Sequence, residues 1–144
     1  MRLVLLSWTA TGAVNVMSDN RNKDDRAVWF DIPVASLDRA SVFYAKVLNI
    51  TVTKKKFDNF TFCMLGHGQG NGGSLLLQPE QITSKTGILV YMNVNGRIRH
   101  AVSQTIEWGG EVIEDIHQID PHGFRAVILD SEGNRLALHS QTDA

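Results

Sequence analysis

The sequence predicts an α+β fold made by using one βαβββ unit twice. Three observations carry this expectation. Residues 123–140, GFRAVILDSEGNRLALHS, read as strand, tight turn, strand. Phe124, Ala126 and Ile128 alternate with Arg125, Val127 and Leu129 ahead of the turn residues Asp130-Ser131-Glu132-Gly133-Asn134, and Leu136 and Leu138 alternate with Arg135, Ala137 and His139 after them. Residues 60–78 repeat that plan more loosely. Helical patterns precede both hairpins, and the halves superimpose: Val34 corresponds to Val94 at an offset of 60 and Phe60 to Phe124 at 64, the difference falling in loops.

Taken in order, residues 1–26 form an N-terminal extension or arm. Arg2 followed by Leu3-Val4-Leu5-Leu6 resembles the start of a signal peptide, but Ser7, Thr9, Thr11 and Gly12 break the apolar run early. A second methionine, Met17, opens the polar stretch MSDNRNKDDR, so residues 1–16 read as an upstream extension. If that extension is ordered, Leu3 to Leu6 need an apolar partner surface, such as another subunit.

The first module covers 27–81. Val28 to Val34 is a short strand ending beside Pro33, with Val28, Phe30 and Ile32 on one face and Trp29 and Asp31 on the other. Ser36 is a credible N-cap for a helix whose apolar side carries Leu37, Ala40, Phe43, Tyr44 and Val47, and Asn49 is its stop. Strands follow at 50–56 and 59–65. Gly68, Gly70 and Gly73 formally spell GxGxxG, but a dinucleotide site needs a helix to start there, and Ser74 to Leu77 read as a strand. Ile82 to Gly87 is a polar joint. The second module, 88–141, replays the plan with a strand at 88–94 and a helix over 96–108 through Ile98, Ala101, Val102 and Ile106. Gly109-Gly110 stops the helix, a strand follows at 111–119, and Asp120 to Gly123 turn into the closing hairpin.

Bulk composition narrows the function classes. The chain of 144 residues is 43% hydrophobic and 20% charged, ordinary for one globular domain at 27–141. A formal charge of −1 supplies no general attraction to nucleic acid or to an anionic membrane. Cys63 is the single cysteine, so an intrachain disulfide framework and a multi-cysteine zinc site are excluded, and a cytoplasmic location is expected. Apolar runs fall short of the roughly 20 residues that span a bilayer.

The duplicated unit resembles the vicinal oxygen chelate superfamily, which includes glyoxalase I, extradiol dioxygenases, and bleomycin and fosfomycin resistance proteins. The residues that carry the likeness are Ile32-Pro33-Val34-Ala35-Ser36-Leu37-Asp38-Arg39-Ala40, Phe43-Tyr44 and Val47-Leu48-Asn49. In the second half they are Gly109-Gly110 and Asp130-Ser131-Glu132-Gly133-Asn134-Arg135-Leu136-Ala137-Leu138. The closing sequence is most similar to a bacterial, glyoxalase-like subgroup whose members mostly lack an assigned reaction. The resemblance implies two βαβββ modules curved into one mixed sheet with a central cup and the helices outside, and it implies a homodimer.

Metal-dependent members of that superfamily hold their cation at four slots, one in the first and one in the last strand of each module. Carried onto this sequence, those slots fall on Trp29, Leu76, Leu89 and Ala137. None of the four offers an imidazole or carboxylate, so the expectation is no metal at the family's site and no cofactor. Strand parity puts Trp29, Asp31, Leu89, Tyr91, Asn93, Arg135, Ala137 and His139 on the face away from the helices. Its mixture of aromatic, apolar and hydrogen-bonding groups suits a small-molecule pocket, with Trp29 and Tyr91 stacking on a planar ligand and Asp31, Asn93, Arg135 and His139 orienting it. The bland alternative is a solvated face or one covered by a partner subunit.

Other chemistry-bearing residues read as structural. His117 and His122 flank Asp120 in HQIDPH, and turn formation around Pro121 and Gly123 explains Asp120 and His122. His100 and His67 read as surface. His139-Ser140 lacks a nucleophile-elbow context, and Cys63 has no visible cationic partner. No catalytic residue is assigned, and whether the chain catalyses a reaction is left open. The favoured expectation is a metal-free small-molecule-binding protein of the glyoxalase/bleomycin-resistance type. A lyase, isomerase or dioxygenase using other ligands, such as Glu80, His117 or His139, is the second reading. An interaction or regulatory module with a vestigial cup is the third.

Overall fold

The computed structural model of the chain describes residues 24–144 and, upstream of them, the backbone of two paired strands, β1 (Leu6–Trp8) and β2 (Val14–Val16). The expectations for the arm at residues 1–16, including a partner surface for Leu3 to Leu6, otherwise lie outside the described residues.

Strand β3 (Trp29–Val34) enters the first module, and Ser36 then caps α1 (Leu37–Leu48). Ser36 Oγ accepts from the Arg39 amide at 3.2 Å, satisfying one of the donors that a helix start leaves open. Asn49 ends the helix in the left-handed region, at φ 54 and ψ 49, where a short polar side chain is tolerated. Three antiparallel strands complete the unit: β4 (Val52–Phe57), β5 (Phe60–Leu65) and β6 (Gly72–Leu77). Their order across the sheet is β3-β6-β5-β4, with β3 and β6 parallel. A strand follows the glycines, as the hairpin reading requires. A Cβ at Gly73 would lie 2.5 Å from the Phe30 ring and 2.7 Å from the Phe30 carbonyl, so this glycine serves close packing and not phosphate binding.

After a 3-10 turn at Pro79–Gln81 the second module repeats the order. It runs β7 (Tyr91–Asn93), α2 (Ile98–Glu107), β8 (Glu111–Gln118), β9 (Phe124–Leu129) and β10 (Arg135–Ser140). Its sheet is β7-β10-β9-β8, the same arrangement as the first. In the second module two boundaries differ by two residues or more from the sequence expectation. Only residues 91–93 of the stretch 88–94 pair as strand, and α2 starts at Ile98, two residues after Gly96, whose φ is +74. Gly96 turns the chain before the helix and does not start it.

The two sheets share one core. Ile32, Val34, Cys63 and Leu75 from the first and Met92, Ala126, Ile128 and Leu138 from the second are buried with Phe43, Tyr44 and Val47 of α1 and Ile98 and Ala101 of α2. Cys63 is accordingly a buried free thiol inside the core.

The modules are joined by the β9–β10 turn, which reaches across to the start of α1. Glu132 Oε1 accepts from the amides of Ala35 and Ser36 at 3.0 and 2.8 Å, while Arg39 donates to both of its carboxylate oxygens. Burial alone would push the Glu132 carboxyl up. The Arg39 bond, the Ser36 amide and the Ser131 hydroxyl outweigh it and hold the carboxyl below its ordinary range. Asp130 lies deeper. It accepts from the buried Tyr44 hydroxyl at 2.5 Å, and Asn134 donates from one amide nitrogen to Asp130 and to the Pro33 carbonyl. The motif that reads as turn chemistry is also the intermodule latch, within a single chain.

Candidate functional site

On the face away from the helices, pairing register lays the side chains out in rows. In the first sheet Asp31 stands beside Ser74, Ser74 beside Met64, and Met64 beside Thr53. In the second, one row is Tyr91, Ala137, Val127 and Glu114, and the next is Asn93, His139, Arg125 and His117. Glu114 and His117 are three apart, so strict alternation would send them to opposite faces. Register shifts in β8 between Val112 and Glu114 and between Glu114 and His117 bring both to the same face.

Arg125 is the centre of the polar group formed there. Its Nη1 donates to the Tyr91 hydroxyl at 2.8 Å, and its Nη2 donates to Glu114 Oε2 at 3.2 Å. The bond to Tyr91 outweighs the burial that works against the charge, and Glu114 adds to it, so the guanidinium stays firmly protonated. His117 Nδ1 is 2.8 Å from the Asp115 carbonyl, an acceptor, so Nδ1 carries the proton. The neutral ring then presents Nε2 as an acceptor to Arg125 Nη2, 3.3 Å away. His139 Nε2 likewise donates to the His122 carbonyl at 2.7 Å, and the His139 ring lies 6.2 Å from that of Tyr91.

The other residues singled out from sequence divide between two places. Trp29 is pinned in the first sheet: its indole N–H donates to Ser74 Oγ at 3.1 Å, and His67 meets its ring edge-on at 5.5 Å. Asp31 and Arg135 line a slot of about 170 Å³ between the modules, together with parts of the 81–90 joint. Tyr91 and His139 belong to the Arg125 group. Asn93 is spent locally, accepting from the Asn95 amide at 2.9 Å, and Leu89 is half-buried just outside β7.

Register also revises one correspondence between the halves. Asp31 pairs with Ser74 as Tyr91 pairs with Ala137, so Ser74, and not Leu76, is the internal counterpart of Ala137. A slip of two residues preserves parity and is invisible to the apolar pattern.

Whether these residues suit a divalent cation is decided by their donors. Trp29, Leu89, Ala137 and either Ser74 or Leu76 supply at most one hydroxyl. Among the described residues no three His, Cys, Asp or Glu side chains are grouped closely enough to hold a metal ion. The alternative set, Glu80, His117 and His139, is likewise not brought together as a group of three among the described residues. The donor set does not fit a metal.

Sequence reasoning missed two features. Arg125 shares parity with Val127 and Leu129, which was the signal that would have placed it on this face. A second cavity, of about 480 Å³, lies at the far end of the first sheet and is lined by Leu37, Lys56, Phe57, Phe60, Leu76 and Leu77 among others. Phe57 and Phe60 each stack on Phe62 there, with ring centroids 6.0 and 5.7 Å apart. The alternation Phe60, Phe62 was the available clue.

No protein-family model matches the sequence, and no curated protein matches it. Solved structures do match. A glyoxalase/bleomycin resistance protein/dioxygenase family enzyme from Burkholderia phytofirmans PsJN aligns at a TM-score of 0.62 and 18% identity, covering 78% of this chain and 96% of that one. The genomically encoded fosfomycin resistance protein FosX from Listeria monocytogenes aligns at 0.62 and 12% identity, covering 76% and 86%. A glyoxalase I mutant from Zea mays aligns at 0.63 and 20% identity over 78% of this chain, which spans about half of that protein, 45% of its length. At these identities the likeness establishes the fold.

Proposed function

From the vicinal oxygen chelate fold, which this chain has, we propose that the protein binds a small organic molecule on the cup face and does so without a divalent metal. The observation that carries this reading is the make-up of that face. Trp29, Tyr91, His139, Arg125, Asp31 and Arg135 offer aromatic surface and directed donors there, while the positions that correspond to the family's ligand slots, Trp29, Leu89, Ala137 and Ser74 or Leu76, lack imidazole and carboxylate groups. Binding here depends on stacking and hydrogen bonds, and the polar groups are already oriented: Arg125 holds Tyr91, and the His122 carbonyl holds His139. The same proposal includes a homodimer, supported by exposed apolar surface at Phe60 and Leu77, 52% and 58% exposed. It also includes a cytoplasmic location, consistent with the free thiol of Cys63. Among the described residues no helix is long and apolar enough to cross a membrane.

The test is a ligand-observed NMR screen of a chemically diverse fragment library against metal-stripped protein, with hits repeated on Trp29→Ala and Tyr91→Ala. Hits that weaken in these variants support the reading. A library that yields no hit, or hits indifferent to both substitutions, contradicts it.

A further inference from the structure

The slot between the modules is bounded by β3 on one side, by the 81–88 joint on another, and by the entry to β10. Its volume of about 170 Å³ equals that of roughly six waters at liquid density. Ile32, Met92 and Leu136 form an apolar floor. The polar wall is mostly committed elsewhere. Thr83 and Thr86 turn their hydroxyls on each other at 3.0 Å, and the Asn134 amide serves Pro33 and Asp130.

Arg135 is different. Its Nε–H is buried with no hydrogen-bond partner, and its guanidinium makes no hydrogen bond or ion pair among the described residues. A buried donor without a partner is costly and uncommon, and a guanidinium presents its N–H groups as a fork matched to a carboxylate. Asp31 lines the same slot and forms no ion pair with Arg135. Partial burial raises its carboxyl above the usual range, with the Trp29 indole N–H working against that rise.

We infer that the slot is the subsite for a small organic carboxylate that carries a hydroxyl or amine. The carboxylate sits on the Arg135 fork, the apolar body lies on Ile32, Met92 and Leu136, and the donor group faces Asp31. The assignment rests on the small-molecule reading above and narrows its ligand class.

The experiment titrates the ¹⁵N-labelled full chain with 3-hydroxybenzoate and, separately, with its amide, 3-hydroxybenzamide, alongside matched acid and amide pairs and neutral fragments. The acid is expected to shift the amide resonances of Asp31, Thr83, Thr86 and Arg135, and to bind at least tenfold more tightly than the amide. Arg135→Gln is expected to weaken the acid by roughly 10- to 100-fold, the loss of a charge-assisted bond, and to leave the amide unchanged. Arg135→Lys, which keeps the charge and loses the fork, falls between. Equal binding of acid and amide, acid binding undiminished in Arg135→Gln, or binding by neutral fragments only overturns the carboxylate assignment and leaves the small-molecule reading standing. Resonances unmoved by every compound overturn both. The acid–amide contrast is read on the unaltered chain and does not depend on how the variants fold.

Discussion

Removing the Glu132 carboxylate should weaken the link between the two modules and lower the stability of the whole domain. The Glu132 side chain is fully buried, whereas Arg39, its ion-pair partner, is 55% exposed. Two backbone amides at the start of α1, those of Ala35 and Ser36, point at Oε1, where a negative charge also complements the helix dipole. A hydrogen bond to a charged group contributes about 1.5–3 kcal/mol, so two such bonds, taken at the lower end, put the cost of Glu132→Ala at about 3 kcal/mol. Arg39→Ala should cost distinctly less, because solvent screens its end of the pair. Urea denaturation followed by tryptophan fluorescence measures this. With an m-value of about 2 kcal/mol per molar, the Glu132→Ala midpoint falls by roughly 1.5 M. The acid side supplies a second reading. The folded-state carboxyl lies below its unfolded value of 4.5, so its stabilisation is present above about pH 4.5 and disappears as pH falls through the depressed folded value. The stability gap between the wild type and Glu132→Gln should therefore be constant near neutrality and close only below pH 4.5. A Glu132→Ala midpoint within 0.3 M of wild type would refute the latch. An Arg39→Ala loss equal to that of Glu132→Ala would show a surface ion pair at work instead.

Tyr44→Phe removes the hydroxyl that donates to Asp130 and should cost about 1–3 kcal/mol in the same urea assay. Burial first, and then the neighbouring Asp130 charge, raise the Tyr44 phenol well above 10, so its contribution is full below pH 10 and is lost as pH climbs toward the folded value. The alkaline decline in wild-type stability should shrink in Tyr44→Phe, and an unchanged decline would count against this. Gly73→Ala places a Cβ 2.5 Å from the Phe30 ring and should lower stability by about 1–3 kcal/mol, as a loss of midpoint in urea would show.

Local chemistry was legible in the sequence. Ser36 and Asn49 announced both ends of α1 because capping depends on residues a few positions apart, and the alternating hairpin of 124–140 fixed β9 and β10. What was hidden depends on distant partners or on irregular register. Glu132 reads as a turn residue, yet its amide partners are 96 and 97 positions away. Arg125 is only one of the alternating residues of its strand until the irregular register of β8 sets Glu114 and His117 beside it. The apolar pattern does not separate Ser74 from Leu76, because a two-residue slip preserves strand parity. Of the strand expected at 88–94 only residues 91–93 pair in register; Ile88 and Val90 border the slot between the modules, and the Val90 carbonyl still accepts from the Ala137 amide at 2.9 Å.

The most direct measurement is a calorimetric titration of the tightest fragment hit into metal-stripped protein in the presence of EDTA, repeated after saturation with Zn²⁺, Ni²⁺, Mn²⁺ and Fe²⁺ in the absence of chelator. A metal-free cup predicts the same affinity in all five conditions and no stoichiometric uptake of any cation. Binding that appears only with a cation, at one ion per chain, would contradict it.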